Sequence, residues 1–153
     1  MRPVSWTGSC CKNELNQGLQ DYVAELLKFY RKYPCMYEID NSWDGFEWIN
    51  ADDGDRSIFS FVRKSPTKRN NILYIVNFTP VDRPDYRVGV PKKKQYKLIM
   101  DENGLLEQPK TFKAVKQECD NREFSFAYPL PAYGGCDFYI LILRDDFRVY
   151  VNI

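Results

Sequence analysis

Four carboxylates crowd one short stretch of the chain: Glu47, Asp52, Asp53 and Asp55. Paired carboxylates suffice for glycoside chemistry, where a retaining enzyme sets two of them about 5–5.5 Å apart across a sugar in a cleft. Here three of the four lie in Asp52-Asp53-Gly54-Asp55, between an aromatic run and a strand-like run. Asp-Gly between apolar runs is a hairpin signal, because Gly accepts the positive φ such turns need. A hairpin tip is convex and wet, so these residues are read as turn formers in preference to catalysts. Calcium is the next alternative, but the run departs from the Asp-x-Asp-x-Asp-Gly spacing of a calcium loop.

Other chemistry is bounded as directly. The chain has no histidine, which removes His-dependent triads and bases. No Walker lysine loop, dinucleotide glycine fingerprint or nucleophile elbow occurs. The five cysteines, Cys10, Cys11, Cys35, Cys119 and Cys136, are odd in number, and two are adjacent. Reduced thiols are therefore expected rather than a disulfide framework. Without C-x-x-C spacing or histidine, neither a zinc site nor any cofactor is expected. Asn77-Phe78-Thr79 fits a glycosylation acceptor and is read as incidental at a strand end. Arg63-Lys64, Lys68-Arg69 and Lys92-Lys93-Lys94 could touch phosphates, but acidic residues are as numerous, so solvated turns are the preferred reading. A net charge of +1 gives no electrostatic reason to seek nucleic acid or an anionic membrane.

Positioning elements follow from periodicity. Leu15, Leu19, Tyr22, Val23, Leu26, Leu27 and Tyr30 recur at three- and four-residue steps, which predicts one helix. Asn13 or Asn16 is a candidate cap. Pro34 stops the helix just after Arg31-Lys32. The stripe is wide and calls for a large partner surface. Residues 1–12 are aperiodic, and Cys35 to Asn41 reads as a linker, so the chain divides into residues 1–36 and 37–153. Strands are predicted at 46–51, 57–64, 71–78, 86–90, 96–101, 112–118, 122–128, 137–144 and 147–153. Two of them, 71–78 and 137–144, are apolar on both faces and belong inside a sheet. About eight short strands with frequent turns predict a mainly β chain: an antiparallel β-sandwich preceded by one amphipathic helix. No apolar run approaches the ~20 residues of a membrane span. The start lacks the apolar core of a signal peptide, so a cytoplasmic protein is expected.

One long, ordered stretch carries a family resemblance. Gly45-Phe46-Glu47-Trp48-Ile49, Asp52-Asp53, Ser57, Ser60-Phe61-Val62-Arg63, Asn77-Phe78-Thr79-Pro80-Val81, Arg83, Tyr86-Arg87 and Gly89-Val90-Pro91 stand in the order and spacing of one family. They resemble the C-terminal domain of bacterial 1,4-α-glucan (glycogen) branching enzymes, of the α-amylase superfamily. Upstream, Gly18 to Asp40 resembles the last helix of that family's catalytic barrel. The likeness weakens after Met100 and returns at Leu130-Pro131-Ala132-Tyr133-Gly134.

The resemblance implies a reaction in which an α-1,4 link is cut, the chain is held as a glycosyl-enzyme, and it is transferred to a 6-hydroxyl. Its nucleophilic Asp and acid/base Glu sit on barrel strand ends. A barrel takes ~250 residues, which this chain cannot contain, so no catalytic residue is assigned. The implied role is a non-catalytic fragment that supports the barrel, with the helix face of Leu19, Tyr22, Val23, Leu26, Leu27 and Tyr30 as the barrel or partner contact. Trp43, Trp48 and Tyr133 are the candidate glucan contacts, because a flat ring stacks on the apolar face of a glucose unit; core packing is the alternative for each tryptophan. Two other readings remain open: a free-standing carbohydrate-binding module, and a protein-interaction domain that self-associates through the helix face.

Overall fold

A computed structural model of the chain describes residues 14–66, 71–101, 104–108 and 110–141. The expected strand at 147–153 and the cap at Asn13 lie outside the described residues. Helix α1 spans Glu14–Lys32, so Asn16 lies inside it rather than capping it. Among the described residues ten strands follow: β1 Phe46–Asn50, β2 Ile58–Arg63, β3 Ile72–Asn77, β4 Arg83–Val90, β5 Gln95–Asp101, β6 Gly104–Leu105, β7 Thr111–Lys113, β8 Val115–Cys119, β9 Arg122–Leu130 and β10 Gly135–Leu141. A large antiparallel sheet runs β1-β2-β3-β10-β5-β6, with β7 also on β5, and it faces a smaller sheet, β4-β9-β8. Among the described residues, no helix is long and apolar enough to cross a membrane.

Period-two alternation builds the interior. β2 buries Ile58, Ser60 and Val62, and β3 buries Leu73 and Ile75 beneath Val88, Val90, Phe126 and Tyr128 of the small sheet. β3 is covered on both faces, as its apolar run requires, and β10 lies between β3 and β5, the central place expected of it. The predicted strand at 112–118 is two strands. At buried Ala114 the chain leaves the large sheet and enters the small one, so β7 pairs with β5 and β8 with β9. Residues 102–110, expected to be all loop, contain the short β6.

Irregularities have local causes. Asp120 and Asn121 both take positive φ in the two-residue turn between β8 and β9, the geometry hairpin twist favours. In the β1–β2 connection the positive φ belongs to Ser57, not to Gly54, because the loop is too long for a tight Asp-Gly turn. A bulge leaves Ile99 unpaired against β10, so Ile99 and Met100 both reach the outer face of the large sheet. There they meet Ile72, Cys35 and Phe29, which carries the C-terminal half of α1 onto the sheet. Pro129 lies inside β9 rather than ending it. It sits opposite the extra residues Pro84 and Asp85 of β4, where the ladder is already interrupted.

Candidate functional site

On the outer face of the large sheet, α1 reaches Ile72, Ile99 and Met100 through Phe29. The rest is an aromatic shelf set by register: Trp48 lies opposite Phe61, and Phe61 opposite Tyr74. Phe61 and Tyr74 stack with ring centres 4.8 Å apart, Phe46 stacks on Phe61 at 5.1 Å, and Trp48 meets Phe46 edge-on at 4.9 Å. Phe59 extends the shelf from Trp48 toward Phe78. Such arrays are rigid, because each ring holds the next in an offset or edge-to-face geometry.

A cleft of about 510 Å³ opens at the edge of this shelf, lined by Asp40, Asn41, Ser42, Trp43, Phe46, Trp48 and Arg63. Its outer wall is the segment from Asp40 to a 3-10 turn, Trp43–Gly45. The Ser42 hydroxyl accepts from the Asp44 amide at 3.2 Å and fixes that turn. Gly45 is needed for space rather than for φ: any Cβ there would overlap the Ile39 carbonyl, and the wall would be pushed off the sheet. At the base, Arg63 donates to the Met36 carbonyl (3.1 Å) and to the Asp40 carboxylate (2.5 Å). Apolar rings beside a few fixed polar groups are what a sugar needs, with CH faces against rings and hydroxyls on carboxylate, amide and guanidinium.

Of the three candidate glucan contacts, the structure brings two together. Trp43 is 88% exposed and Trp48 48% exposed, so neither is consumed by the core, and both line the cleft. Tyr133 is also exposed, but it sits at positive φ in the β9–β10 connection and does not line the cleft. Phe46, Asp40, Asn41 and Arg63 join the site although no candidate reading included them. The period-two pairs Phe46/Trp48 and Phe59/Phe61 held a usable signal for the shelf; the polar wall, read as linker, held none. Leu19, Tyr22, Val23, Leu26, Leu27 and Tyr30 are all exposed along α1, whereas Phe29, outside the predicted stripe, is the residue the domain buries.

Two of the four carboxylates first considered for chemistry, Glu47 and Asp53, are engaged in ion pairs. Glu47 binds Lys64 at 2.6 Å and Arg122 at 2.5 Å, joining β1 to the end of β2 and to the small sheet. Burial opposes its ionisation, but hydrogen bonds and charge from Lys64 and Arg122 outweigh that and hold it below its ordinary value. Asp53 pairs with Arg56 at 2.7 Å in the β1–β2 connection. Arg63 and Lys64 are thus structural ion-pair partners rather than the solvated turn expected of them. Burial pushes the thiols of Cys35 and Cys119 up to about 11, helped at Cys119 by Asp120, so neither is a ready nucleophile. Both are unpaired; Cys10 and Cys11 lie outside the described residues.

Comparison with known proteins adds independent findings. The profile of the alpha amylase C-terminal all-beta domain matches residues 48–139. The 1,4-alpha-glucan branching enzyme GlgB of Butyrivibrio fibrisolvens is 46% identical over 130 residues, covering 81% of this chain and 20% of that protein. The namesake of Aquifex aeolicus is 43% identical over 86 residues, 56% of this chain and 14% of that protein. The one of Bacillus cytotoxicus is 30% identical over 127 residues, 79% and 20% respectively. The chain therefore spans at most about a fifth of these curated relatives. A crystal structure of pullulanase type I from Bacillus subtilis complexed with maltose shares the fold with a TM-score of 0.58 at 15% identity, covering 84% of this chain and 16% of that one.

Proposed function

The chain belongs to the alpha amylase C-terminal all-beta domain family, and from that premise we propose that it serves as a non-catalytic C-terminal domain of a 1,4-alpha-glucan branching enzyme. In this reading it works in the cytoplasm, the catalytic barrel lies in the remainder of the enzyme, and α1 docks this domain against it. Catalysis by the chain itself is not part of the reading, since Glu47 and Asp53 are held in ion pairs.

One observation carries the docking role. Six large apolar residues of one helix, Leu19, Tyr22, Val23, Leu26, Leu27 and Tyr30, stand in water on a chain that spans a fifth of its relatives. A stripe that size is stabilised only by being covered. The test is Val23→Asp in two settings. In the isolated chain the substitution changes stability little, because Val23 is already 43% exposed. In a branching enzyme carrying this chain as its C-terminal domain, burying the new carboxylate costs roughly 2 kcal/mol or more and lowers the melting temperature. Equal melting temperatures for the two full enzymes would remove the barrel as partner. A dimer of the isolated chain that Val23→Asp dissolves would favour self-association instead.

The cleft at Trp43 and Trp48 favours a second role, contact with an α-glucan chain. Maltoheptaose is expected to bind the 153-residue chain. Trp43→Ala is expected to weaken that binding about tenfold, roughly 1.4 kcal/mol, while leaving folding intact because the indole packs on little. Titration calorimetry measures both. An unchanged affinity in Trp43→Ala, or no heat at millimolar ligand, would exclude the cleft as a glucan site.

A further inference from the structure

A second cleft, of about 370 Å³, is lined by Arg56, Arg83, Pro84, Asp85, Tyr86, Arg87 and Cys119 and shares no lining residue with the first. Five consecutive residues of β4 line it together. A regular strand would send alternate side chains to opposite faces; the bulge between Arg83 and Tyr86 breaks that alternation. The result is three guanidinium groups around one hollow.

Their partners are unequal. Arg56 is taken by Asp53, through Nε at 2.9 Å and Nη2 at 2.7 Å, and lies over the Tyr86 ring at 5.4 Å. Asp120, also near Tyr86, is engaged by the Asn50 amide at 2.8 Å and the Gly89 N–H at 2.7 Å. Among the described residues, Arg87 reaches a neutral hydroxyl, Ser125 Oγ at 3.2 Å, and no carboxylate. The Nε of Arg83 is buried with no hydrogen-bond partner. The hydroxyl of Tyr86, a residue only 4% exposed, is likewise buried and unpartnered. Burial, reinforced by Asp120 and Asp53, pushes the Tyr86 phenol above its ordinary range, so it stays a donor. Among the described residues neither Arg83 nor Arg87 is held in an ion pair, and Asp85, between them in β4, is solvent-exposed.

Unpaired donors drawn out of water cost free energy until an acceptor meets them. Guanidinium forks match the tetrahedral oxygens of a phosphoryl group better than they match any neutral ligand. We propose that the cleft between Arg83, Arg87 and Tyr86 is a binding site for a phosphoryl oxyanion, supplied as free phosphate or as the phosphoryl group of a sugar phosphate. This site is separate from the Trp43 cleft, and its existence does not depend on the glucan reading.

The experiment is titration of the 153-residue chain with inorganic phosphate, with a hexose phosphate and with the neutral hexose, at matched ionic strength, followed by amide NMR shifts. Saturable shifts centred on Arg83 to Arg87 and Cys119 are expected with both phosphoryl ligands and none with the hexose. Tighter binding of the hexose phosphate assigns the sugar phosphate as the source, and equal binding assigns free phosphate. Arg83→Gln is expected to weaken the interaction about tenfold, whereas Trp43→Ala leaves it unchanged. Should Arg83→Gln fail to fold by circular dichroism, Arg87→Lys serves in its place, since it keeps the charge but loses the fork and weakens binding in the same direction. Absence of saturable phosphate shifts, or an affinity indifferent to both arginine variants, overturns the proposal.

Discussion

Asn77→Ala is expected to cost about 3 kcal/mol of folding stability and to loosen two loops at once. Asn77 is only 1% exposed, and its amide is fully used. Nδ2 donates to the carbonyls of Val81 (3.0 Å) and Pro131 (2.8 Å), while Oδ1 accepts from the Thr79 N–H (3.0 Å) and hydroxyl (2.7 Å). One side chain thereby ties the end of β3 to the β3–β4 turn and to the β9–β10 connection, where the Asn77 N–H also meets the Gly134 carbonyl at 2.8 Å. Alanine would take these partners from the Val81 carbonyl and the Thr79 N–H and leave the Pro131 carbonyl with the Gly134 N–H (3.2 Å), which costs more than the bonds were worth while made. Asn77→Asp is expected to be no better, because a carboxylate would face the two carbonyls Nδ2 now serves. Urea unfolding of the variant at neutral pH checks this; a loss below about 1 kcal/mol would mean that water replaces the lost donors. The same geometry disposes of the glycosylation acceptor, since Nδ2 is buried and occupied.

Glu47→Gln is expected to cost about 2 kcal/mol at neutral pH, with a pH dependence that identifies the cause. Glu47 links both sheets, through Lys64 and Arg122. Its folded pKa lies below the ordinary 4.5, so the charged form is the stabilising one. Its contribution is fully present above the unfolded value and is lost as pH falls through the folded value. Glutamine keeps the shape but not the charge. The stability gap between wild type and Glu47→Gln should therefore be constant from neutral pH down to about 5 and then close as Glu47 is protonated. A gap that stays open well below that range would show that shape rather than charge was lost.

The relation between sequence and structure is clearest in particular elements. The large sheet was legible because its signals are local: the strand-like run in residues 57–64 and the doubly apolar runs in 71–78 and 137–144 each specify a strand, found at Ile58–Arg63, Ile72–Asn77 and Gly135–Leu141. The helix was legible for the same reason, as was its stop at Pro34. The family was legible in the run from Gly45 to Pro91, whose order and spacing no single motif imitates. What escaped local reading involves residues distant in the chain. Ala114 divides one apparent strand between two sheets because β5 and β9 compete for its neighbours, and nothing within residues 111–119 encodes that competition. Phe29, not the wide stripe, is the residue α1 buries, because a bulge at Ile99 raises a cluster to meet it.

The sites divide in the same way. Residue type alone marked Trp43 and Trp48 as able to stack on a sugar and ruled out histidine chemistry. Only the tertiary structure decided that the two tryptophans share a cleft with Arg63 and Asp40, that Tyr133 does not line it, and that Glu47 and Asp53 serve ion pairs. The physical reason is that stacking capacity and charge belong to single residues, whereas a cleft or an ion pair depends on distance. Distance is set by strand register, by bulges and by close backbone contacts such as Gly45 against Ile39.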